Sequence, residues 1–387
     1  MSARIVVDKN TPLIVEAFST VGDVTAIDTS EFSPERVKDA DAIIVRSEVK
    51  VGAHLLEGSH VRFVGTTTIG TDHLDESWLQ AHGIAYANAP GCNANSVCEY
   101  VLAALLVHST RSGKAIAEST IGIVGVGNVG SRVHAMARAM GMEVILNDPP
   151  LARSTGDSKY CPLEEVLSAD IVTLHVPLTR SGADATVHLI DERRLASLHR
   201  DALLINTSRG AVVDNAALRG ALEKKWISGA VLDVWEGEPA LDCGLLDLVE
   251  IGTPHIAGYS LDGKTNAVRM VYESFCAWTK GRTVWTLDDR MLPPAELPEI
   301  TLPPGWKLSD RSLEELVRNC YDIRRDDRAL RTACSSHPKD LRAQFQKLRT
   351  GYRVRREFAA TVVRGASWEA EVVLRSLGFA VDSKSKQ

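Results

Sequence analysis

The sequence predicts an α/β protein of parallel, doubly wound sheets that ends in an α+β segment. Three patterns carry that expectation. Short runs rich in Val and Ile alternate with helical patterns through the first 90 residues, and a glycine-rich junction between a strand pattern and a helix pattern opens the second block. The segment after Pro304 reads as helices followed by strand, helix and strand. With 387 residues, 44% apolar and 24% charged, the chain has globular composition and suffices for two or three domains.

In the first block "RIVVD", "VTAI", "DAIIVRS", "VRFVGTT" and "IAYANA" are the strands, and "TPLIVEAFSTVG" and "TDHLDESWLQAHG" are among the segments between them. Strands separated by helical crossovers pair in parallel. The run "NSVCEYVLAALLVHSTRSG" predicts a long helix, opened by cap signals at Asn95 and Ser96 and stopped by Gly113. Apolar residues cover most of its circumference, so it is expected to be a buried bridge between two domains.

The second block begins "TIGIVGVGNVGSRVHAMARAMGMEVILNDPP". Gly125, Gly127 and Gly130 form Gly-x-Gly-x-x-Gly directly after a strand pattern and at the start of a helix pattern, the context a dinucleotide fingerprint needs. Gly125 permits the turn, Gly127 lets backbone approach a pyrophosphate, and Gly130 allows close packing of the helix. Asn128 and Val129 lie at the helix N-terminus, where free N–H groups and a positive dipole end favour phosphate. Asp148 ends the next strand pattern, where a carboxylate accepts the ribose hydroxyls and repels a 2′-phosphate, so the expected cofactor is NAD.

The sheet continues through "ADIVTLHVPL", "ALLINTS", "ISGAVLDV" and "VEIGTPH". Ligand contacts cluster at the carboxyl ends of such strands, and those ends supply His175, Arg209, Asp233, Glu238 and His255. Arg209, between a strand and a glycine, suits a two-pronged grip on a carboxylate. The commonest role of a solitary histidine such as His255 is packing, and the surrounding chain must argue otherwise.

"NTSRGAVVDNAAL", "VLDVWEGEP" and "TPHIAG", in that order behind "GIVGVGNVG", resemble the D-isomer-specific 2-hydroxyacid dehydrogenases. The resemblance implies a catalytic set of Arg209, Glu238 and His255. The imidazole would take the hydroxyl proton while hydride leaves for the nicotinamide, the glutamate would fix the imidazole, and the arginine would hold the substrate carboxylate. It also implies that Asp233 meets the nicotinamide carboxamide, that Thr207, Ser208, Arg209 and Gly258 line the cofactor, and that Val176 flanks the adenosine side. Longer strings, "FVGTTTIGTDHLD", "APGCNANSVCEYVLAALL" and "IGTPHIAGYSLDGK", resemble one branch of the family that oxidises a phosphorylated 2-hydroxy acid. For that branch Ser47, Thr68 and Tyr259 match substrate positions, with Arg46 and Lys50 as nearby cations for a phosphate. Val49, Thr67 and Ile69 depart from the branch pattern. The implied architecture is a flavodoxin-like, discontinuous substrate domain (1–94 and 257–284), a Rossmann-type NAD-binding domain (95–256) and a C-terminal dimerisation domain (285–387).

The helix pattern "SLDGKTNAVRMVYESFCAWTKG" is long enough to return the chain to the first domain. "MLPPAELPEITLPPGW" then marks a linker or extended edge. From Pro304 on there are 18 Lys and Arg against 11 Asp and Glu. The clusters "RRDDR" and "RVRRE" interleave both signs, which fits a solvated or subunit-facing surface and argues against nucleic acid as a partner. The seven cysteines include no Cys-x-x-Cys and are expected as reduced structural thiols, with no metal site. No apolar h-region opens the chain and no long uncharged apolar window occurs, so a cytoplasmic protein without a membrane partner is expected. Two other readings stay open: a different phosphorylated 2-hydroxyacid dehydrogenase, such as one for 3-phosphoglycerate, and an NAD(H)-sensing corepressor-like binding protein on the same fold.

Overall fold

A computed structural model describes residues 2–382. The chain divides into two compact units, one reaching from the amino terminus to Asn93 and including Ser260–Pro293, the other formed by Ala94–Tyr259 with the chain from Pro294 on.

The first unit holds five parallel strands, β1 (Ala3–Asp8), β2 (Gly22–Ile27), β3 (Ala42–Val45), β4 (Phe63–Thr66) and β5 (Ala85–Ala87), in the order β2-β1-β3-β4-β5. That is the flavodoxin-like order, with its reversal between β1 and β3. The helix Leu261–Thr279 belongs here because of what it buries. Val268, Val271, Tyr272 and Phe275 lie against Ile5, Ile44 and Phe63. Each such side chain contributes roughly 1.5–3 kcal/mol on burial, so this face holds the returning segment to the sheet. Ser260 starts the helix by accepting the Gly263 N–H at 2.8 Å.

The second unit is built on β6 (Thr120–Val124), β7 (Glu143–Asn147), β8 (Ile171–Leu174), β9 (Leu203–Asn206), β10 (Gly229–Leu232) and β11 (Ile251–Gly252), all parallel, in the order β11-β10-β9-β8-β6-β7. A single parallel bridge between Leu146 and Tyr160, with the Cys161 N–H donating to the Leu146 carbonyl at 2.7 Å, adds a one-residue stub beyond β7. Counting the stub, the strands follow the Rossmann order 3-2-1-4-5-6 with one more at the far edge. The order reverses between β6 and β8. At that junction Gly125 turns with φ 85, and a methyl on Gly130 would lie 1.9 Å from the Gly125 carbonyl oxygen.

The helix Ala94–Ser112 is buried along nearly its whole length. It starts one residue before the expected cap, which places Asn95 and Ser96 inside it. Their side chains instead bond Glu357, Asn95 Nδ2 at 3.2 Å and Ser96 Oγ at 2.6 Å. In the carboxyl-terminal segment, β12 (Glu299–Thr301), β13 (Val362–Arg364) and β14 (Ala380–Asp382) form a parallel sheet beside the helices Asp310–Cys320, Ile323–Ser336, Leu341–Thr350 and Trp368–Ser376. The third of these helices ends at Thr350, so "GYRVRREF" lies outside it.

Two charge and redox expectations are corrected. "RVRRE" is no solvated surface: Arg355 is 3% exposed, donates to Glu99 Oε2 at 2.6 Å and lies over the Tyr321 ring at 3.8 Å. "RRDDR" likewise turns its acids inward, with Asp327 accepting the Gly252 N–H at 2.8 Å and Asp326 paired with Arg353. A buried arginine needs an acid on another element, and the matching Glu99 lies far back in the sequence. The cysteines are not all reduced: Cys243 and Cys334, with Cα atoms 6.0 Å apart, form a disulfide between the helices Cys243–Leu248 and Ile323–Ser336. Spacing could not reveal a pair separated by 91 residues. Among the described residues no helix is long and apolar enough to cross a membrane, and no cluster of His, Cys, Asp and Glu suits a metal ion.

Candidate active site

The carboxyl ends of β8, β9, β10 and β11 run on as His175, Thr207–Arg209, Asp233 and Thr253–His255. The order of these strands in the sheet therefore brings segments as far apart in sequence as His175 and His255 to one edge. Two close approaches complete the grouping. Gly210 sits where a methyl would lie 2.1 Å from the Trp235 carbonyl, so the loop bearing Arg209 abuts the turn Trp235–Glu238. Glu236 anchors that turn, its N–H donating to Asn215 Oδ1 at 3.0 Å and its carboxylate bonding His188 Nε2 at 2.6 Å.

His255 Nδ1 hydrogen-bonds Glu238 Oε1, and the other oxygen of Glu238 accepts the Trp235 N–H at 3.1 Å. Burial pushes the Glu238 carboxyl up, but the hydrogen bond and charge of His255, the Trp235 N–H and the charge of Arg349 outweigh it and hold the group below its usual range. A glutamate so held stays ionised and can fix the imidazole tautomer that leaves Nε2 free to accept a proton. His255 itself adopts φ 59, a left-handed conformation that costs about 1–3 kcal/mol for a residue other than glycine.

Asp233 imposes that conformation. Its carbonyl accepts the His255 N–H at 2.7 Å, Oδ1 accepts Thr253 Oγ1 at 2.6 Å and the Ile256 N–H at 2.8 Å, and Oδ2 accepts the Ala257 N–H at 2.9 Å. Burial nevertheless raises its pKa, against the charge of His255 and these bonds. Sequence reasoning gave Asp233 a cofactor contact and missed this scaffold, which needs the fold of the loop to be seen. Arg209 donates from Nη1 to the Ser208 carbonyl at 2.9 Å. His175 is half-buried between Thr173 Oγ1 at 2.9 Å and Thr207 Oγ1 at 3.3 Å, and desolvation lowers its pKa to about 3, so it stays neutral.

The residues of the β6–helix junction fit a dinucleotide. A methyl on Gly127 would meet no protein atom, so the backbone there faces open space at the N-terminus of the helix Asn128–Ala139, with Val129 in its first turn. Asp148 follows β7 and accepts the Val126 N–H at 2.8 Å and the Leu151 N–H at 2.9 Å. Its carboxylate is thereby aimed beside the glycine loop and keeps lone pairs for ribose hydroxyls. Val176 bounds the other side, where a methyl on Gly125 would lie 2.8 Å from its Cγ1. Gly258 and Tyr259 follow the loop that Asp233 holds.

In the first unit, Ser47 follows β3 and Thr68 follows β4. The Thr68 hydroxyl donates to the Gly70 carbonyl at 2.8 Å and meets Thr66 Oγ1 at 2.8 Å. Ser47 Oγ reaches Glu48 Oε2 at 3.5 Å, and Arg46 pairs with Glu48 at 2.8 Å. Lys264, which the sequence reading left without a role, has its pKa lowered by burial and by the nearby charge of Arg46. Lys50 and burial act alike on His73, burial being the larger, and bring its pKa to about 4.

A dinucleotide-type glycine turn in one sheet with an imidazole–carboxylate pair and an arginine at its strand ends suits hydride transfer from an alcohol; the class is that of NAD-dependent dehydrogenases acting on 2-hydroxy acids. Residues 101–257 match the D-isomer specific 2-hydroxyacid dehydrogenase, NAD binding domain, and residues 291–378 match a domain of unknown function, DUF3410. Over 97% of this chain and 98% of theirs, the erythronate-4-phosphate dehydrogenases of Salmonella arizonae and Escherichia coli O1:K1 are 43% and 44% identical to it. D-lactate dehydrogenase from Aquifex aeolicus, solved with NAD and lactic acid, is 26% identical with a TM-score of 0.58, over 72% of this chain and 95% of that one. The chain belongs to the D-isomer specific 2-hydroxyacid dehydrogenase family, and its cofactor is NAD.

Proposed function

We propose that the chain oxidises 4-phospho-D-erythronate to 2-oxo-3-hydroxy-4-phosphobutanoate, the activity after which its Salmonella and Escherichia relatives are named, as a cytoplasmic step toward pyridoxal 5′-phosphate (vitamin B6). The observation that carries the reading is the His255–Glu238 pair at the end of β11 in a chain so similar to those relatives along its whole length. NAD, when bound, accepts the hydride from C2 of the substrate. His255 Nε2 takes the hydroxyl proton, Glu238 stabilises the resulting imidazolium, and Arg209 grips the C1 carboxylate so that C2 is oriented.

Asp148 holds the ribose hydroxyls, and Gly125, Gly127, Asn128, Val129 and Gly130 offer the pyrophosphate their backbone. Thr207, Ser208, Asp233, Gly258 and Val176 flank the cofactor, and Ser47, Thr68 and Tyr259 contact substrate. For the phosphate, Arg46 and Lys264 are the favoured cations: the nearby charge of Arg46 helps to lower the Lys264 pKa, and a phosphate between them relieves that repulsion. The chain works as a homodimer through its C-terminal segment, a reading supported by Trp368 and Val372, one helical turn apart and 75% and 49% exposed.

Specificity constants for 4-phospho-D-erythronate and 3-phosphoglycerate test the substrate. A preference of at least about a hundredfold for the first is expected, since a misplaced phosphate forfeits its pairing with Arg46 and Lys264. Equal constants would reassign the substrate, and NADH binding without turnover of either would favour a sensor. Charged substitutions at Trp368 and Val372 that left a dimer in sedimentation would move the interface elsewhere.

A further inference from the structure

Arg349 lies in the last turn of the helix Leu341–Thr350, inside the segment that matches a domain of unknown function. Its Nη2 donates to the Tyr259 hydroxyl at 3.2 Å, and its guanidinium carbon is 5.8 Å from the centre of that ring. Tyr352 meets the same ring edge-on at 6.0 Å and donates its hydroxyl to Asp326 Oδ2 at 2.7 Å, while Arg353 pairs with the other Asp326 oxygen. Tyr259, four residues after His255, is thus held by the carboxyl-terminal segment. Arg349 Nε is buried and makes no hydrogen bond, an unfavourable arrangement that packing alone does not require.

We propose that Arg349 is a positioning residue of the hydroxyacid site, fixing Tyr259 and placing a positive charge beside the His255–Glu238 pair. The inference rests on the reading of His255 as base and Tyr259 as a substrate contact. Among the described residues, Asp233 senses the charge of His255 and Arg349 acts on Glu238. Tyr352, Asp326 and Arg353 stand behind Tyr259. A cation beside the pair opposes protonation of the imidazole, so its removal lets His255 keep a proton to higher pH. Losing the donor to Tyr259 loosens the substrate contact. The carboxyl-terminal segment then serves the reaction itself, in addition to any part in assembly.

The test compares wild type, Arg349→Ala and Arg349→Lys in profiles of kcat/KM against pH, with NADH binding and circular dichroism as measures of folding. Arg349→Ala should raise KM for 4-phospho-D-erythronate roughly tenfold, the worth of one lost hydrogen bond, with KM for NAD within about twofold. It should also move the acidic limb of alcohol oxidation upward by roughly half a unit to one unit. Arg349→Lys keeps the charge and should restore the limb while KM stays high. An unmoved limb and an unchanged substrate KM in Arg349→Ala would overturn the proposal, as would equal loss of activity in both variants with the limb unmoved. If Arg349→Ala fails to fold, Arg349→Met is read against Arg349→Lys by the same criteria. Should wild type prefer 3-phosphoglycerate, the substrate reading fails on its own, and the limb measured with that acid still decides the role of Arg349.

Discussion

Asp233→Asn is the substitution for which the structure gives the most definite expectation. The carboxylate accepts three hydrogen bonds from the loop that carries His255, two at Oδ1 from Thr253 and Ile256 and one at Oδ2 from Ala257. An asparagine oxygen can replace Oδ1, but its NH2 group must then face the Ala257 N–H, donor against donor. One bond to a charged acceptor is lost, about 1.5–3 kcal/mol, and two others weaken to neutral strength at about 1 kcal/mol each. Relief of the buried charge, already visible in the raised pKa of Asp233, offsets part of this and leaves roughly 2–4 kcal/mol. That is below the total stability of a typical domain, so the chain should fold. It is comparable to the strain of holding His255 at φ 59, so the loop should relax. At 1.36 kcal/mol per tenfold, kcat should fall by about 30- to 1000-fold. Steady-state oxidation of 4-phospho-D-erythronate, with a thermal melt to confirm folding, measures both quantities. A kcat within threefold of wild type would show that the three bonds do not hold the histidine.

Asp148→Ala should raise KM for NAD and relax discrimination against NADP, since the carboxylate attracts one ribose and repels the other phosphate; unchanged cofactor preference would remove Asp148 from the site. Glu238→Gln should slow turnover and move the acidic limb of alcohol oxidation to lower pH, because the imidazolium loses its carboxylate. The same substitution has a stability signature. Glu238 is held below the ordinary value of 4.5, so its contribution is complete above that pH and is lost as pH falls through the depressed value. Melts taken from pH 6 down to pH 3 should therefore fall more steeply for wild type than for the glutamine variant, and parallel curves would contradict the shift. The Cys243–Cys334 bond closes 91 residues, which the chain-entropy relation equates to roughly 4–5 kcal/mol. Reductant should lower the Tm of wild type by on the order of 10 °C and leave Cys334→Ser unaffected; a wild-type melt indifferent to reductant would mean that the bond does not act as a staple.

Much of the fold was legible because periodicity is local. Each strand of the first block stands where its apolar run lies, and the glycine junction has the strand-turn-helix context its spacing requires. The site was legible at strand ends for the same reason: once the sheet is parallel, Arg209, Asp233 and His255 must share an edge. The parts that escaped are pairings across long separations. Arg355 reads as surface charge until Glu99 and Tyr321 enclose it, Cys334 reads as a free thiol until Cys243 faces it, and Arg349 has no visible role until Tyr259 lies under it. A cap signal failed at Asn95 and Ser96 because Glu357 offered those side chains a stronger partner than the helix start. The tail therefore hid more than the core: Arg355, Glu357 and Asp327 find partners on elements outside it.

In the proposed mechanism His255, oriented by Glu238 and Asp233, is the base that removes the hydroxyl proton of the substrate. Its most direct test is the turnover number of His255→Ala with saturating NAD and 4-phospho-D-erythronate, beside the affinity of the same variant for NADH. A loss of about 100- to 10,000-fold in kcat with NADH binding retained is the predicted result, the usual contribution of a positioned acid–base group. Near-normal turnover in that variant would return His255 to a packing role and contradict the account.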